Sequence, residues 1–211
     1  MIKLHLGCGK RYLPGWTHID LADFPHIDYR QNAADLNNFA DNSVDEIYAC
    51  NLLEHFNRFE VPNVLAEWAR VLKCRTKNPD GTVSPGGILR LSVPDFEASV
   101  KHYLEHHDLA VLESNFIGGQ KDKYDFHYYQ FDFTLLEKLL KNVGLSDMRR
   151  YDWRDFLPDS FDDYSRCYLP HMDFEHGQLM VLNVTAEKVE NVQSYDRSLT
   201  LGMRNRGLIK D

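Results

Sequence analysis

The sequence predicts a single α/β domain built on a mostly parallel sheet. Three observations carry that prediction. Lys3–Leu21 (KLHLGCGKRYLPGWTHIDL) reads as a short buried strand, a turn bearing Gly7 and Gly9, and a second strand, Trp16–Leu21, that ends near Asp20. Val44–Cys50 and Gly87–Val93 are apolar runs of strand length, the first of them bounded by a turn. Between them Val61, Val64, Leu65, Trp68, Val71 and Leu72 recur at helical spacing. With 211 residues, one domain can bury a sizeable core.

The first stretch also carries the chemistry. Two glycines one residue apart let the backbone turn sharply after a strand and let a ligand approach the main chain. A carboxylate at the tip of the next strand can grip the two hydroxyls of a ribose. Gly7, Cys8, Gly9, Asp20 and Leu21 are therefore the candidate nucleoside cradle. A dinucleotide site wants a third glycine where this chain has Tyr12. Only six residues, Lys10–Gly15, separate Gly9 from Trp16, too few for a crossover helix of about 10 residues. No helix N-terminus is thus expected to seat a pyrophosphate, and the ligand reads as a nucleoside without phosphate.

Composition bounds the class. Hydrophobic residues make up 43% and charged residues 27%, as in a soluble globular protein. No apolar run reaches the roughly 18 residues of a membrane helix, and no signal-peptide pattern opens the chain, so no membrane partner is expected. Cys8, Cys50, Cys74 and Cys167 show no C-x-x-C spacing, which suggests neither zinc knuckle nor disulfide framework and points to a reducing, cytoplasmic setting. The net charge of −8 argues against nucleic acid as the main partner.

Further along, Ile27–Arg30 reads as a third short strand. Glu60–Lys73 reads as a helix with Pro62 in its first turn, where the missing N–H costs nothing. Cys74–Ser84, with the turn Asn78-Pro79-Asp80-Gly81, reads as an exposed excursion. Asp95 stands at the carboxyl end of the strand that follows. Phe96 to about Asn115 reads as a helix. His102 and His106 share one face of it, but no H-E-x-x-H pattern or completing acid accompanies them. A solvated face is expected there, and the sequence as a whole predicts no metal site. Thr134 and Glu137 have the spacing of a capping box, opening a helix to Asn142 with Gly144 as its stop. Met148–Trp153 and Gln178–Glu187 read as closing strands. The domain is placed at 1–190 and a polar tail at 191–211.

LHLGCGKRYLPGWTHIDL resembles the opening of a class I S-adenosylmethionine-dependent methyltransferase, in the small bacterial branch with L-G-C-G, P-G-W and L-E-H motifs. The likeness extends over roughly Lys3–Lys188. It includes Leu53-Glu54-His55 after the fourth strand, Arg70–Lys73 with Pro85-Gly86-Gly87, and Gly118-Gly119-Gln120 with Asp125–Tyr128. It implies a Rossmann-like sheet of about seven strands, an antiparallel last strand and helices on both faces. It implies S-adenosyl-L-methionine as cofactor, with Asn51, Leu52 and Glu54 walling it and Asp35 near the adenine. One departure is His5, which stands where the family carries an acid that helps hold the methionine amino group.

Methyl transfer is then the expected activity, with a small-molecule or glycan acceptor and a hydroxyl as the methylated group. The candidate general bases are His127, His55 and Asp95, in that order. Ile117–Phe133 is rich in aromatics and follows two glycines, which suits a lid over a flat acceptor; a plug for the core edge is the competing reading. The acidic, aromatic Tyr151–His176 connection is placed at the other wall of the mouth. Two alternatives stay open: a nicotinamide-dependent oxidoreductase, and a methyltransferase-like nucleoside-binding module without catalysis. A homo-oligomer is compatible with the sequence.

Overall fold

The computed structural model describes residues 1–196, so most of the 191–211 tail lies outside the described residues. Seven strands form one sheet: β1 (Lys3–Leu6), β2 (Thr17–Asp20), β3 (Tyr29–Arg30), β4 (Glu46–Cys50), β5 (Ile88–Pro94), β6 (Leu145–Arg150) and β7 (Val181–Lys188). Their spatial order is β3-β2-β1-β4-β5-β7-β6. Every pairing is parallel except those of β7, which runs antiparallel to both β5 and β6. This is the sheet that the sequence predicts, with strand ends displaced by up to three residues: Met148–Trp153 becomes Leu145–Arg150, and the last strand starts at Val181 rather than Gln178. No helix among the described residues is long and apolar enough to cross a membrane.

Side-chain alternation along each strand sends two sets of residues to opposite faces. On one face Leu4, Leu6, Ile47, Ala49, Leu89, Leu91 and Val93 pack against α1 (Val61–Val71) and α4 (Phe133–Asn142). Trp68 is fully buried there and donates its indole N–H to the Ala33 carbonyl at 2.8 Å, which ties α1 to the chain after β3. The opposite face carries Tyr48 and His5. It is covered by Leu13, Trp153, Leu157 and Phe161, partly through the one-turn helices Trp153–Asp155 and Tyr164–Arg166. Here Tyr48 donates its hydroxyl to Asp163 at 2.5 Å. The Tyr151–His176 connection therefore serves largely as core on this face. The predicted role at the mouth does not describe Trp153, Leu157 or Phe161.

Three local expectations need correction. The Phe96–Asn115 helix is broken: α2 (Phe96–His106) stops at His107, whose φ of 54° is left-handed, and α3 (Glu113–Ile117) follows a one-turn helix. His102 is buried at 8% exposure rather than solvated. The cap of α4 is Asp132, which accepts from Leu135 N at 2.7 Å, because Phe133 and Thr134 are already in or at the first turn. Within the described part of the tail, Tyr195 donates to Asn63 at 2.7 Å and packs on the main core.

His5 ties sequence to pH-dependent stability. Burial, reinforced by the neighbouring His18 and Arg11, pushes its pKa down to about 3 from 6.5. The folded ring stays neutral where an unfolded imidazole takes up a proton. The stability it contributes is complete above pH 6.5 and drains away as pH falls toward 3, by up to about 1.4 kcal/mol per pH unit. His5→Leu should flatten the acid limb of a urea-unfolding series between pH 6.5 and 4 by roughly that slope. An unchanged limb would show that this ring is not the proton-linked group.

The Cys74–Ser84 excursion is a small antiparallel hairpin, Thr76–Lys77 with Val83–Ser84. It leaves from the amino edge of the sheet, where Gly87 N donates to the Lys73 carbonyl at 2.7 Å. Its root matters more than its tip. Arg75 grips Glu187 at 2.6 and 2.9 Å and Asp147 at 2.5 Å. Excising 77–83 while keeping Arg75 should leave ligand affinity at the carboxyl edge within about threefold, since ligands in open α/β sheets bind at that opposite edge. Calorimetry on the trimmed, folded chain checks this, and a large loss would place the hairpin in the site.

Candidate active site

A cavity of about 510 Å³ opens at the carboxyl ends of β1, β2 and β4. It lies where the chain order reverses across the sheet, β1 leading outward to β2 on one side and β4 standing on the other, the usual ligand position of such sheets. Its volume suits a small-molecule ligand. Gly7 forms part of the floor. Its φ is +60°, and a Cβ built there would stand 2.7 Å from Leu52 Cδ1. Only glycine lets the turn close this tightly against the far wall. Gly7 N donates to the Ile19 carbonyl at 2.8 Å, which locks the turn onto β2.

Asp20 sits half-buried at the end of β2 and lines the cavity. One carboxylate oxygen accepts from Gly9 N at 2.7 Å and the other from Ala22 N at 2.7 Å. Each oxygen keeps a further lone pair, so the group is held in place and can still accept from a ligand hydroxyl. Leu21, Asn51, Leu52 and His55 complete the predicted part of the lining. Asn51 adopts a left-handed φ of 47° and turns the chain from β4 into the one-turn helix Leu53–His55.

The remaining predicted residues lie elsewhere. Cys8 is buried at 2% exposure, and burial, with Asp20 nearby, pushes its thiol up to about 12, which makes it an inert core group. Gly9 reaches the cavity only through its N–H on Asp20. Asp35 turns its carboxylate to Asn37 N at 3.2 Å and is not part of the lining. Asp95 caps α2, accepting from Glu97 N at 3.0 Å, and faces Arg150 at 3.4 Å. Its carboxylate is engaged by the helix start and does not reach the cavity.

Glu54 and His127 meet beneath the loop before α4. Glu54 is fully buried, neither of its carboxylate oxygens has a hydrogen-bond partner, and burial raises its pKa to about 8. His127 Nε2 stands 3.9 Å from Glu54 Oε1, and the His55 and His127 rings meet edge to face at 4.9 Å. Burial lowers the pKa of both histidines, so both rings are neutral at pH 7. His5, at the position of the family's acid, belongs to the Tyr48 face and is absent from the lining.

Sequence reading missed Ala22, Gln31, Asn32 and Phe56. Asn32, two residues after β3, lines the cavity, whereas the predicted Asp35, three residues later, does not. The aromatic segment serves both readings offered for it. Asp122, Lys123 and Tyr124 wall the cavity, while Phe131 is fully buried in the main core and Tyr128 N donates to the Glu54 carbonyl at 2.8 Å.

A second cavity, about 530 Å³, lies at the amino edge beneath residues 190–195 and is lined by Asn63, Arg70, Lys188 and Tyr195 among others. Volume does not separate the two. The buried Lys188 ammonium there bonds Asn42 Oδ1 and the Leu72 carbonyl, both at 2.9 Å, and so closes the end of α1. Those groups are engaged structurally, whereas the first cavity holds the glycine turn, Asp20 and His55.

Residues 16–77, under a third of the chain, match the family model described as Methyltransferase domain. Asp20, Asn51, Leu52 and His55 fall inside that span. No curated protein matches the sequence. Among solved structures, the chain is similar to a possible exported protein from Bordetella parapertussis, at 14% identity and TM-score 0.52, with 90% of this chain and 62% of that one covered. It is also similar to an S-adenosylmethionine-dependent methyltransferase from Archaeoglobus fulgidus, at 12% identity and TM-score 0.51, covering 88% and 85%. A third is a methyltransferase from Thermotoga maritima described as a possible histamine N-methyltransferase, at 12% identity and TM-score 0.50, covering 89% and 82%. At these identities the likeness is one of fold. The family match and the shared fold bear out the resemblance to methyltransferases.

Proposed function

From a methyltransferase fold and a methyltransferase family match over residues 16–77, which include Asp20, Leu52 and His55, we propose that this chain is an S-adenosyl-L-methionine-dependent methyltransferase acting on a small molecule or glycan, at a hydroxyl. The observation that carries the reading is the Gly7 turn facing Leu52 across a cavity whose rim holds the Asp20 carboxylate.

The residues fit the cofactor. Asp20, fixed by Gly9 N and Ala22 N, would accept from the ribose hydroxyls. Leu21, Leu52 and Phe56 supply apolar wall, and Gly7 lets the ligand lie close to the backbone. When bound, the cofactor supplies a methyl group already activated on a sulfonium. What is left for the chain is positioning and exclusion of water. The 122–124 tip walls the cavity toward solvent, and His55 is the neutral ring on the lining able to accept a hydroxyl proton. His127 stands behind it. The connector between β1 and β2 contains no helix, which disfavours a pyrophosphate ligand.

Incubation with methyl-labelled S-adenosylmethionine and a panel of phenolic, polyol and glycan acceptors tests this, alongside fluorescence titration with NADH. Labelled methyl in a hydroxyl acceptor and no NADH binding is the expected result. NADH binding with no S-adenosylhomocysteine binding would overturn it in favour of an oxidoreductase.

A further inference from the structure

Glu54 poses a physical problem that the cofactor cavity does not solve. Its carboxylate is wholly buried and both oxygens lack hydrogen-bond partners. A buried unpaired carboxylate costs several kcal/mol unless a cation or proton neutralises it. Among the described residues its single ion-pair partner is His127, at 3.9 Å, too far for a hydrogen bond.

The two histidines beside it are held in a particular way. His127 Nδ1 lies 3.0 Å from the Asn115 carbonyl, and His55 Nδ1 lies 3.0 Å from the Phe126 carbonyl. A carbonyl only accepts, so each Nδ1 carries a proton and Nε2 is the ring nitrogen left to ligate. Backbone carbonyls that fix the tautomer through one ring nitrogen are the outer-shell arrangement of metal-ligating histidine. One ligand atom from each of Glu54, His55 and His127 lies within 4.8 Å of the others. Metal bonds of about 2.0–2.2 Å require ligand atoms near 3.4 Å apart, so side-chain movements of about 1 Å would close the set.

We propose that Glu54, His55 and His127 form a divalent transition-metal site of the two-imidazole, one-carboxylate type, with zinc as the ion that its ligands suit best. Two imidazoles select against magnesium and calcium, which prefer all-oxygen sets. Three protein ligands leave a coordination position open, as in catalytic rather than structural zinc sites. His55 also lines the cavity, so the open position faces oxygen ligands that enter there, water or an acceptor hydroxyl. Ligation of a hydroxyl at that position lowers its pKa, and with His55 spent as a ligand this replaces the proton acceptance assigned to that ring in the metal-free site. That role rests on the methyltransferase reading, whereas the metal site itself does not.

The metal set is not legible from the sequence, because Glu54 and His127 are 73 residues apart and no ligand spacing joins them. The sequence expectation of no metal rested on C-x-x-C and H-E-x-x-H patterns alone.

The test uses tag-free chain stripped with chelator, then dialysed against zinc. Bound metal per chain is measured by mass spectrometry, and thermal stability with and without zinc. The expected result is one zinc per chain and a zinc-dependent rise in Tm. Glu54→Gln and His127→Ala should each weaken zinc binding by at least about 100-fold, more than the 10- to 100-fold typical of outer-shell changes. His106→Ala, which alters the other histidine pair, should bind zinc as wild type does. Cobalt in place of zinc should give visible d–d bands without thiolate charge transfer, a readout that survives if either variant folds poorly. No zinc bound by wild type at about 100 µM, binding retained in both Glu54→Gln and His127→Ala, or loss in His106→Ala would each overturn the site. S-adenosylhomocysteine titrated into the same stripped wild type keeps the two readings apart: its binding without zinc binding removes the metal site alone.

Discussion

Gly7→Val should abolish measurable binding of S-adenosylhomocysteine, a loss of at least about 100-fold, or roughly 2.7 kcal/mol. Two effects act together. The residue holds a φ of +60°, which a β-branched side chain resists, and its Cβ would meet Leu52 Cδ1 at 2.7 Å. Relief requires Leu52 to swing into the cavity or the turn to lift from β2, and either closes the ligand's path. Gly15→Ala separates strain from obstruction. Gly15 has a φ of +81°, yet nothing stands within 4 Å of its added Cβ, and it is not part of the lining. It should cost about 1 kcal/mol of stability and leave affinity within about threefold. Calorimetry on both variants checks the pair. Equal losses would mean that the turn's conformation, not the space above Gly7, is what the ligand needs.

Asp20→Ala is the second large effect. A hydrogen bond to a charged acceptor contributes about 1.5–3 kcal/mol, so affinity should fall roughly 10- to 150-fold. The carboxylate also holds Gly9 N and Ala22 N. Those lost bonds should lower stability as well, by about 1–2 kcal/mol in urea unfolding, because both amides lie on short turns that can in part rehydrate. The two readouts separate the roles. A drop in stability with unchanged affinity would make Asp20 a loop brace and remove the ribose assignment.

Local rules carried much of the fold. The apolar runs at 3–6, 46–50 and 88–94 are strands because their side chains face packed layers on both sides of the sheet, and the α1 stripe is core because its period matches one helix face. Position-dependent glycine chemistry likewise exposed Gly7. What failed were competitions between nearby groups of one type. Asp132 outcompetes Thr134 as the α4 cap because it sits one residue before the helix, and of the two turn residues after β3 it is Asn32, not Asp35, that lines the cavity.

The failures within the site share another cause. Glu54, His55 and His127 are legible singly, as cofactor wall and candidate bases, but their meeting arises from long-range burial. The 3₁₀ turn after β4 places Glu54 inside, and the loop before α4 folds over it through Tyr128 N on the Glu54 carbonyl. Likewise the acidic, aromatic Tyr151–His176 connection reads as a mouth until its Trp153, Leu157 and Phe161 are seen to cover Tyr48 and His5. Neither pairing has a period or a spacing to announce it.

The claim that a nucleoside cofactor occupies the cavity at the carboxyl edge is tested most directly by a crystal structure of the chain with S-adenosylhomocysteine. The expected density places the ribose hydroxyls within hydrogen-bond distance of Asp20, the ligand against Gly7, and Leu52 as the opposing wall. Density instead in the cavity beside Lys188 and Tyr195, or a ligand whose ribose makes no contact with Asp20, would contradict it.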